Sequence, residues 1–287
     1  MECRMSLISI QTVTTRISDL DSQRHVNNRI YEHFCADSRY RLLQEHGYPI
    51  NKLLEQGISL RPIATHVKFR AQQSYDSTLQ INTVAYPMEN GAIFWDHNIL
   101  QPDEKLACHL QAETRSVERS SAPVELLPVT HSHPEQILIE DVPAFSGTCS
   151  RASSSFNTLH SDADTFGNLP TAALWRIFEE GRYMAGGQLG LTLDRFLQFD
   201  THIFWLEGTY RFHTTIKPGQ TLTIYTWLER IVRIRAYIRQ EIRSQDGAQL
   251  LAASREEHLI VSLETSRPKA MPSQLSESLG KYIEYPA

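Results

Sequence analysis

What the chain lacks narrows its roles first. It has no surplus of positive charge: 28 lysines and arginines against 33 aspartates and glutamates leave a net charge of −5 over 287 residues. No basic face of the kind that nucleic acid needs is expected. It has no Cys-x-x-Cys pair. Cys3, Cys35, Cys108 and Cys149 match no zinc-ligand spacing, so they are expected as free thiols in a reducing cytoplasm. It has no apolar run of membrane-spanning length, and its first residues do not read as a signal peptide. The expectation is a cytoplasmic protein with no metal, no membrane span and no nucleic-acid partner.

What the chain does have is an internal repeat. Hydrophobic residues make up 41% of it, normal for a packed protein, and its length allows one large domain or two ordinary ones. A shift of 143 pairs Asp19 with Asp162, Asp21 with Asp164, Arg39 with Arg182, Tyr40 with Tyr183 and Gly47 with Gly190. Without a gap it goes on to pair Phe69 with Phe212, Thr78 with Thr221, Leu79 with Leu222, Ile81 with Ile224 and Thr83 with Thr226. Ten identities are few, but the unbroken shift and matching local patterns point to duplication.

Each copy reads alike. A short extended segment (8–17, then 152–159) precedes an Asp-x-Asp turn. A helix is expected over 26–45 and 170–188. In the second copy Ala173, Leu174, Ile177, Phe178 and Met184 recur at helical spacing. Pro170 suits a first helical turn, and Gly47 and Gly190 suit helix ends. Strand-like runs follow at 64–69, 78–84, 91–100 and 105–117, and again at 204–213, 220–230, 231–244 and 249–263. Leu222, Ile224 and Thr226 alternate with Thr223 and Tyr225 as in a half-buried strand. One long helix can lie across such an antiparallel sheet. The expected layout is a repeat at 1–120, a linker at 121–147, a repeat at 148–271 and a tail at 272–287. The linker carries Pro123, Pro128, Pro134 and Pro143. Its His131 and His133 have no third ligand nearby and read as solvated. The polar tail reads as an extended strap.

The chemistry concentrates in residues 18–31, Ser-Asp-Leu-Asp-Ser-Gln-Arg-His-Val-Asn-Asn-Arg-Ile-Tyr. A polar turn with two carboxylates, an amide and an imidazole runs directly into a helix. A helix N-terminus offers unpaired N–H groups and positive dipole charge, which can polarise a carbonyl and hold the oxyanion formed on attack. Asp21 can attack that carbonyl or take a proton from water that does. His25 can orient the water or share the base role, and Gln23 can hydrogen-bond the same groups.

This segment resembles the hotdog-fold thioesterase superfamily. Acyl-CoA thioesterases of that group carry Asp-x-Asp-x-x-Gly-His-Val-Asn-Asn-x-x-Tyr, and the acyl-ACP branch Asp-Leu-Asp-x-Asn-x-His-Val-Asn-Asn. Asp19, Leu20, Asp21, His25, Val26, Asn27, Asn28 and Tyr31 match. In the second copy Asp162-Ala163-Asp164-Thr165-Phe166-Gly167 resembles the hydroxybenzoyl-CoA thioesterase branch. Leu259 to Pro268 resembles the family's last strand and its Arg-Pro ending.

The resemblance implies an α+β double hotdog, each repeat one long helix wrapped by a curved antiparallel sheet. It implies hydrolysis of an acyl-CoA or acyl-ACP thioester in fatty-acid metabolism, without a cofactor because water is the co-substrate. Asp21, His25, Gln23 and Asp164 are then catalytic, and Asn27, Asn28, Gly167 and Asn168 bind substrate. A homodimer of fused chains follows from the resemblance alone.

Three features depart from the family pattern. Arg24 stands at a common glycine. Gln23 replaces the acyl-ACP branch's asparagine. The stretch 65–71 lacks that branch's assisting glutamate, where His66 can stand in or be structural.

Other features carry two readings each. Glu32, Glu179 or Glu180 can reach a site, or can balance Arg39 and Arg182. Trp175, Phe178, Phe196, Phe199, Phe204 and Trp205 can line an acyl channel or fill the core. Arg230, Arg233, Arg235 and Arg239 can meet phosphates on one strand face or be solvated. A hotdog enoyl-thioester hydratase and a non-catalytic acyl-binding protein are the alternative functions. The first usually has a longer Asp-to-His motif, and the intact Asp21 and His25 speak against the second.

Overall fold

A computed structural model describes residues 7–129 and 132–285; Cys3 and His131 lie outside the described residues. The chain forms two compact units. One runs to Glu140 and includes Ala163–Ala173; the other holds Asp141–Asp162 and everything from Leu174 onward.

The first unit contains β1 (Leu7–Thr14), a 3-10 turn (Ile17–Asp19), α1 (Asn28–Glu45), α2 (Ile50–Gln56), β2 (Ser59–Phe69), β3 (Thr78–Pro87), β4 (Ala92–Leu100) and β5 (Leu106–Val117). Its antiparallel strands run in the order β1-β3-β4-β5-β2. The helix α1 lies over β1, β3 and β5. It buries Ile30, Tyr31, Phe34, Cys35, Leu42 and Leu43, each large apolar side chain contributing about 1.5–3 kcal/mol.

The second copy repeats this series: β6 (Ala152–Asn157), a 3-10 turn (His160–Asp162), α3 (Thr171–Leu189), α4 (Leu193–Gln198), β7 (His202–Phe212), β8 (Thr221–Val232), β9 (Arg235–Ser244) and β10 (Leu250–Val261). Its strand order is β6-β8-β9-β10-β7. Each sheet with its long helix is the hotdog arrangement. The shift of 143 maps β2 onto β7 and one 3-10 turn onto the other, residue for residue. Strand register is kept: Ser9 faces Thr83 as Ala152 faces Thr226. One extra residue in the β9–β10 turn moves the last strand to a shift of 144, so Ile99 faces Cys108 while Ile242 faces Ala252.

Both long helices end on a glycine with positive φ, Gly47 at +87° and Gly190 at +72°. Tyr48 N–H then reaches Leu43 O at 2.9 Å, and Leu191 N–H reaches Gly186 O at 2.8 Å, the closure that left-handed caps provide. Mid-helix, α3 approaches its sheet so closely that a Cβ on Gly181 would lie 2.7 Å from Ile224 Cγ2 and 2.9 Å from Gln240 Nε2. The Gln240 amide donates to Phe178 O and Thr226 Oγ1, both at 3.0 Å. The equivalent positions in α1 and its sheet are Ser38, Thr83 and His97. There Ser38 Oγ lies 2.7 Å from Thr83 Oγ1, which lies 2.8 Å from His97 Nδ1. Different atoms tie helix to sheet at the same three places.

Four features differ from the expectation. The short helices α2 and α4 span only six or seven residues, too few for apolar periodicity to show. β2 begins at Ser59, well before residue 64, and accommodates Pro62 at a bulge beside Ala64, one of the few places a strand tolerates proline. The tail is not an extended strap throughout: α5 (Ser273–Leu279) starts after Pro272 and buries Leu275 and Leu279. Finally, residues 134–140 lie against the first sheet, where Gln111 donates to Gln136 O and accepts from Leu138 N–H, both at 2.7 Å. Ile139 packs there with Ala64 and Phe94. Of the four tryptophans, Trp95 belongs to the first unit and Trp175, Trp205 and Trp227 to the second.

Candidate active site

The two aspartates of Asp-x-Asp do different jobs. Asp19 is buried and takes Arg16 through both carboxylate oxygens, at 2.8 Å from the backbone N–H and 3.0 Å from Nη2. Burial alone would raise its pKa, but the Arg16 bonds and charge hold it below the usual carboxylate value. Its counterpart Asp162 is bound to Arg176. The first aspartate is therefore an anchor in both copies.

The second aspartate closes a loop. Asp21 Oδ1 accepts from Gln23 N–H at 2.8 Å and His25 N–H at 3.1 Å. Asp21 N–H donates to His25 O at 2.8 Å, and Arg24 N–H to Asp21 O at 3.0 Å. Asp164 repeats each bond: Oδ1 accepts from Phe166 and Asn168 N–H at 2.9 Å, its N–H reaches Asn168 O at 2.8 Å, and Gly167 N–H reaches Asp164 O at 2.9 Å. The turn needs positive φ, met by Gly167 at +75° and, against its steric preference, by Arg24 at +67°. Within each loop the bonds to the aspartate side chain fall on Oδ1 alone.

Asp21, Gln23 and His25 are thus drawn together through the main chain of one seven-residue loop, with Asp21 and His25 half-buried and Gln23 exposed. The loop is fixed at its far end by Val26 N–H to Gln73 O and Asn27 N–H to Asp19 O, both at 2.8 Å. Asn27 is the N-cap of α1, its side chain accepting from Arg29 N–H at 3.1 Å and its carbonyl from Ile30 N–H at 2.9 Å. Every backbone N–H from Gln23 through Ile30 is thereby used, except that of Asn28, which has no partner among the described residues. That amide sits on the first residue of an 18-residue helix, where the dipole favours negative charge.

Asp164, Gly167 and Asn168 lie in the segment that belongs to the first compact unit. There Phe166 stacks on Tyr40 of α1 with ring centres 6.0 Å apart. Burial, and then the Asp164 charge, push the Tyr40 phenol well above its usual range.

Several other candidates resolve as structure. Arg39 pairs with Glu32 inside the first unit. Arg182 reaches Glu256 Oε1 at 2.6 Å, an oxygen that also takes the Tyr210 hydroxyl at 2.7 Å. The arginine is common to both copies, but its carboxylate comes from the helix in one and from β10 in the other. Trp175 fills the place equivalent to Glu32, and a one-copy sequence reading has no signal for that exchange. Trp175, Phe178, Trp205 and Tyr210 pack ring against ring, the first two and Tyr210 buried and Trp205 half-buried.

The arginine run is not a shared phosphate face. Arg230 stacks on Tyr237, Arg235 pairs with Glu257, and Arg239 is buried over Trp227 and bound to Pro143 O. Arg233 occupies the hairpin turn at φ +54°. His66 is buried in β2 and His133 is exposed. Cys35, Cys108 and Cys149 are free thiols, the first two fully buried and pushed up by that burial. Among the described residues no group of three or more His, Cys, Asp or Glu is arranged to hold a metal, and no helix is long and apolar enough to cross a membrane.

Two hotdog units in tandem, each led by an acidic loop into its long helix, define a double-hotdog thioester hydrolase. A family model described as the thioesterase-like superfamily matches residues 15–132 and again 158–279. The chain belongs to that superfamily. Solved structures share the fold over nearly the whole chain. A protein described as an oleoyl thioesterase from Lactobacillus plantarum superposes with a TM-score of 0.67 at 10% identity, covering 94% of this chain and 98% of its own. The 12:0-ACP thioesterase from Umbellularia californica gives 0.67 at 10%, covering 92% and 95%. An acyl-ACP thioesterase from Bacteroides thetaiotaomicron gives 0.59 at 10%, covering 88% and 97%. No curated protein matches the sequence.

Proposed function

We propose that the chain hydrolyses acyl thioesters at the Asp21 loop, with an acyl carrier protein or coenzyme A as the thiol carrier. The observation that carries this reading is the pairing of a loop-anchored carboxylate with the unbonded Asn28 N–H at the start of α1. The amide and helix dipole draw electron density onto the thioester oxygen and stabilise the oxyanion. Asp21, held by Oδ1, presents its other oxygen to the carbonyl carbon or to a water beside it. His25 and Gln23, in the same loop, supply an imidazole and an amide for the water and the substrate. The thiolate leaves, the acid is released, and water is the only co-substrate. Two of the structural neighbours are named for acyl-ACP, and a fatty acyl-ACP is the substrate we would try first.

Thiol release from aryl, short-chain and long-chain acyl groups on both carriers tests the proposal, with Asp21→Asn as the control. Asparagine keeps the Oδ1 acceptor that closes the loop, so folding is retained while the charge is lost. A fall in kcat of about 10²–10⁴-fold is expected. A rate that Asp21→Asn leaves unchanged would rule out this site.

A further inference from the structure

We propose that the Asp164 loop is no second active site but a clasp that fastens the head of α3 to α1, leaving one catalytic centre per chain. The inference rests on the thioesterase reading of the Asp21 loop. Both loops have the same backbone bonds, so the difference lies in what stands around them.

Three differences point the same way. First, the position of Gln23 is taken by Phe166, whose ring is stacked on Tyr40. An apolar ring occupies ground where the other loop presents an amide. Tyr40 is itself half-buried, with the backbone of Leu60 in β2 near its hydroxyl. Second, the position of His25 is taken by Asn168, whose N–H and carbonyl are spent on closing the loop. No imidazole remains to orient water. Third, the head of α3 already has an anion. Thr171, its first residue, lies close enough to the Glu32 carboxylate of α1 to favour its charged form; that carboxylate is buried and paired with Arg39, and its second oxygen has no hydrogen-bond partner among the described residues. A carboxylate at a helix N-terminus takes up the dipole charge that an oxyanion would need. A second negative charge developing beside it would be repelled. The backbone N–H at this position has no partner among the described residues in either copy, on Asn28 or on Thr171, so the contrast lies in the carboxylate beside it.

The residues of the clasp, 163–173, accordingly belong to the first compact unit rather than to that of their own repeat. Asp164 has become a residue that shapes a turn.

Two measurements on the full chain decide the matter. In the first, thiol release is compared for Asp164→Asn, Asp21→Asn and the double variant. Asp164→Asn is expected to keep kcat and KM within about twofold of the parent, and the double variant to match Asp21→Asn. A tenfold or greater loss of kcat in a folded Asp164→Asn chain overturns the proposal. So does residual activity in Asp21→Asn that the double variant removes. In the second, amide hydrogen exchange over 163–171 is followed in Glu32→Gln and Phe166→Ala, where at least tenfold faster exchange confined to that segment is expected. Unchanged exchange in both overturns the clasp. If the parent chain releases no thiol from any thioester, the functional reading falls, and exchange alone still judges the clasp.

Discussion

Removing the carboxylate of Glu256 tests how the second unit tolerates a charge in its core. Glu256 is fully buried, and a single oxygen accepts from Arg182 at 2.6 Å and from the Tyr210 hydroxyl at 2.7 Å. In a Glu256→Leu chain Arg182 stays charged, because guanidinium does not lose its proton in proteins. It is left over Trp205 with only the long bond to Gln240 Oε1 at 3.3 Å and the charge of Glu179 to offset it. Breaking a buried pair by deleting one partner costs about 3–5 kcal/mol. The Arg182 side chain keeps 17% exposure, which favours the lower end. The stranded Tyr210 hydroxyl adds part of a further ~1–3 kcal/mol, less than additively because both bonds share one atom. A total near 4 kcal/mol, at roughly 3 °C per kcal/mol for a unit of this size, lowers Tm by about 12 °C. Replacing the whole pair with apolar residues of similar volume is about neutral or better, so Arg182→Met with Glu256→Leu should regain most of the loss. Calorimetric melts of the parent, both single variants and the double variant measure this. A Glu256→Leu chain melting within about 3 °C of the parent, or a double variant no more stable than the single, would refute the reasoning.

Backbone strain in the acidic loops is tested by exchange of residue types. Arg24→Gly relieves a left-handed φ and should stabilise by roughly 0.5–1 kcal/mol. Gly167→Ala has open space for its Cβ and should still lose about 1 kcal/mol, read from denaturant midpoints. Gly181→Ala meets Ile224 and Gln240 at under 3 Å and should cost about 1–3 kcal/mol, whereas Ser38→Ala in the first copy should cost only its hydrogen bond, about 1 kcal/mol. Acid should weaken the fold early. Burial holds His97 and His258 neutral, well below the ordinary histidine pKa, while the unfolded chain takes up those protons below about pH 6.5. Stability is therefore full above that pH and falls by about 1.4 kcal/mol per pH unit for each histidine as pH drops towards the depressed values. Urea midpoints at pH 7.5 and 5.5 check the slope, which His97→Gln should reduce.

The duplication and the two long helices were legible because their signals are local or periodic. An unbroken 143-residue shift aligned β2 with β7 and β3 with β8, and Gly47 and Gly190 marked helix ends that the cap geometry bears out. The acidic loops were legible as motifs, but the division of labour within Asp-x-Asp was not. Nothing in the order of residues says that Asp19 and Asp162 are held by arginines while Asp21 and Asp164 fold their own turns. The helix α5 was hidden because Leu275 and Leu279 give a single turn of apolar spacing in a proline-flanked polar tail. The arginine run misled for a related reason. Alternation along β9 puts neighbours on a face, but Glu257, Tyr237 and Trp227, which take up three of those charges, come from across the sheet. Long-range partners leave no trace in spacing.

The tryptophans make the two units optically separable. Trp95 is the first unit's sole indole and sits fully buried in its sheet, whereas the other three report on the second unit. A Trp95→Phe chain therefore emits only from the C-terminal half, and a chain keeping Trp95 alone emits only from the N-terminal half. Paired fluorescence melts of the two would tell directly whether duplicated halves of one gene product come apart together or in turn.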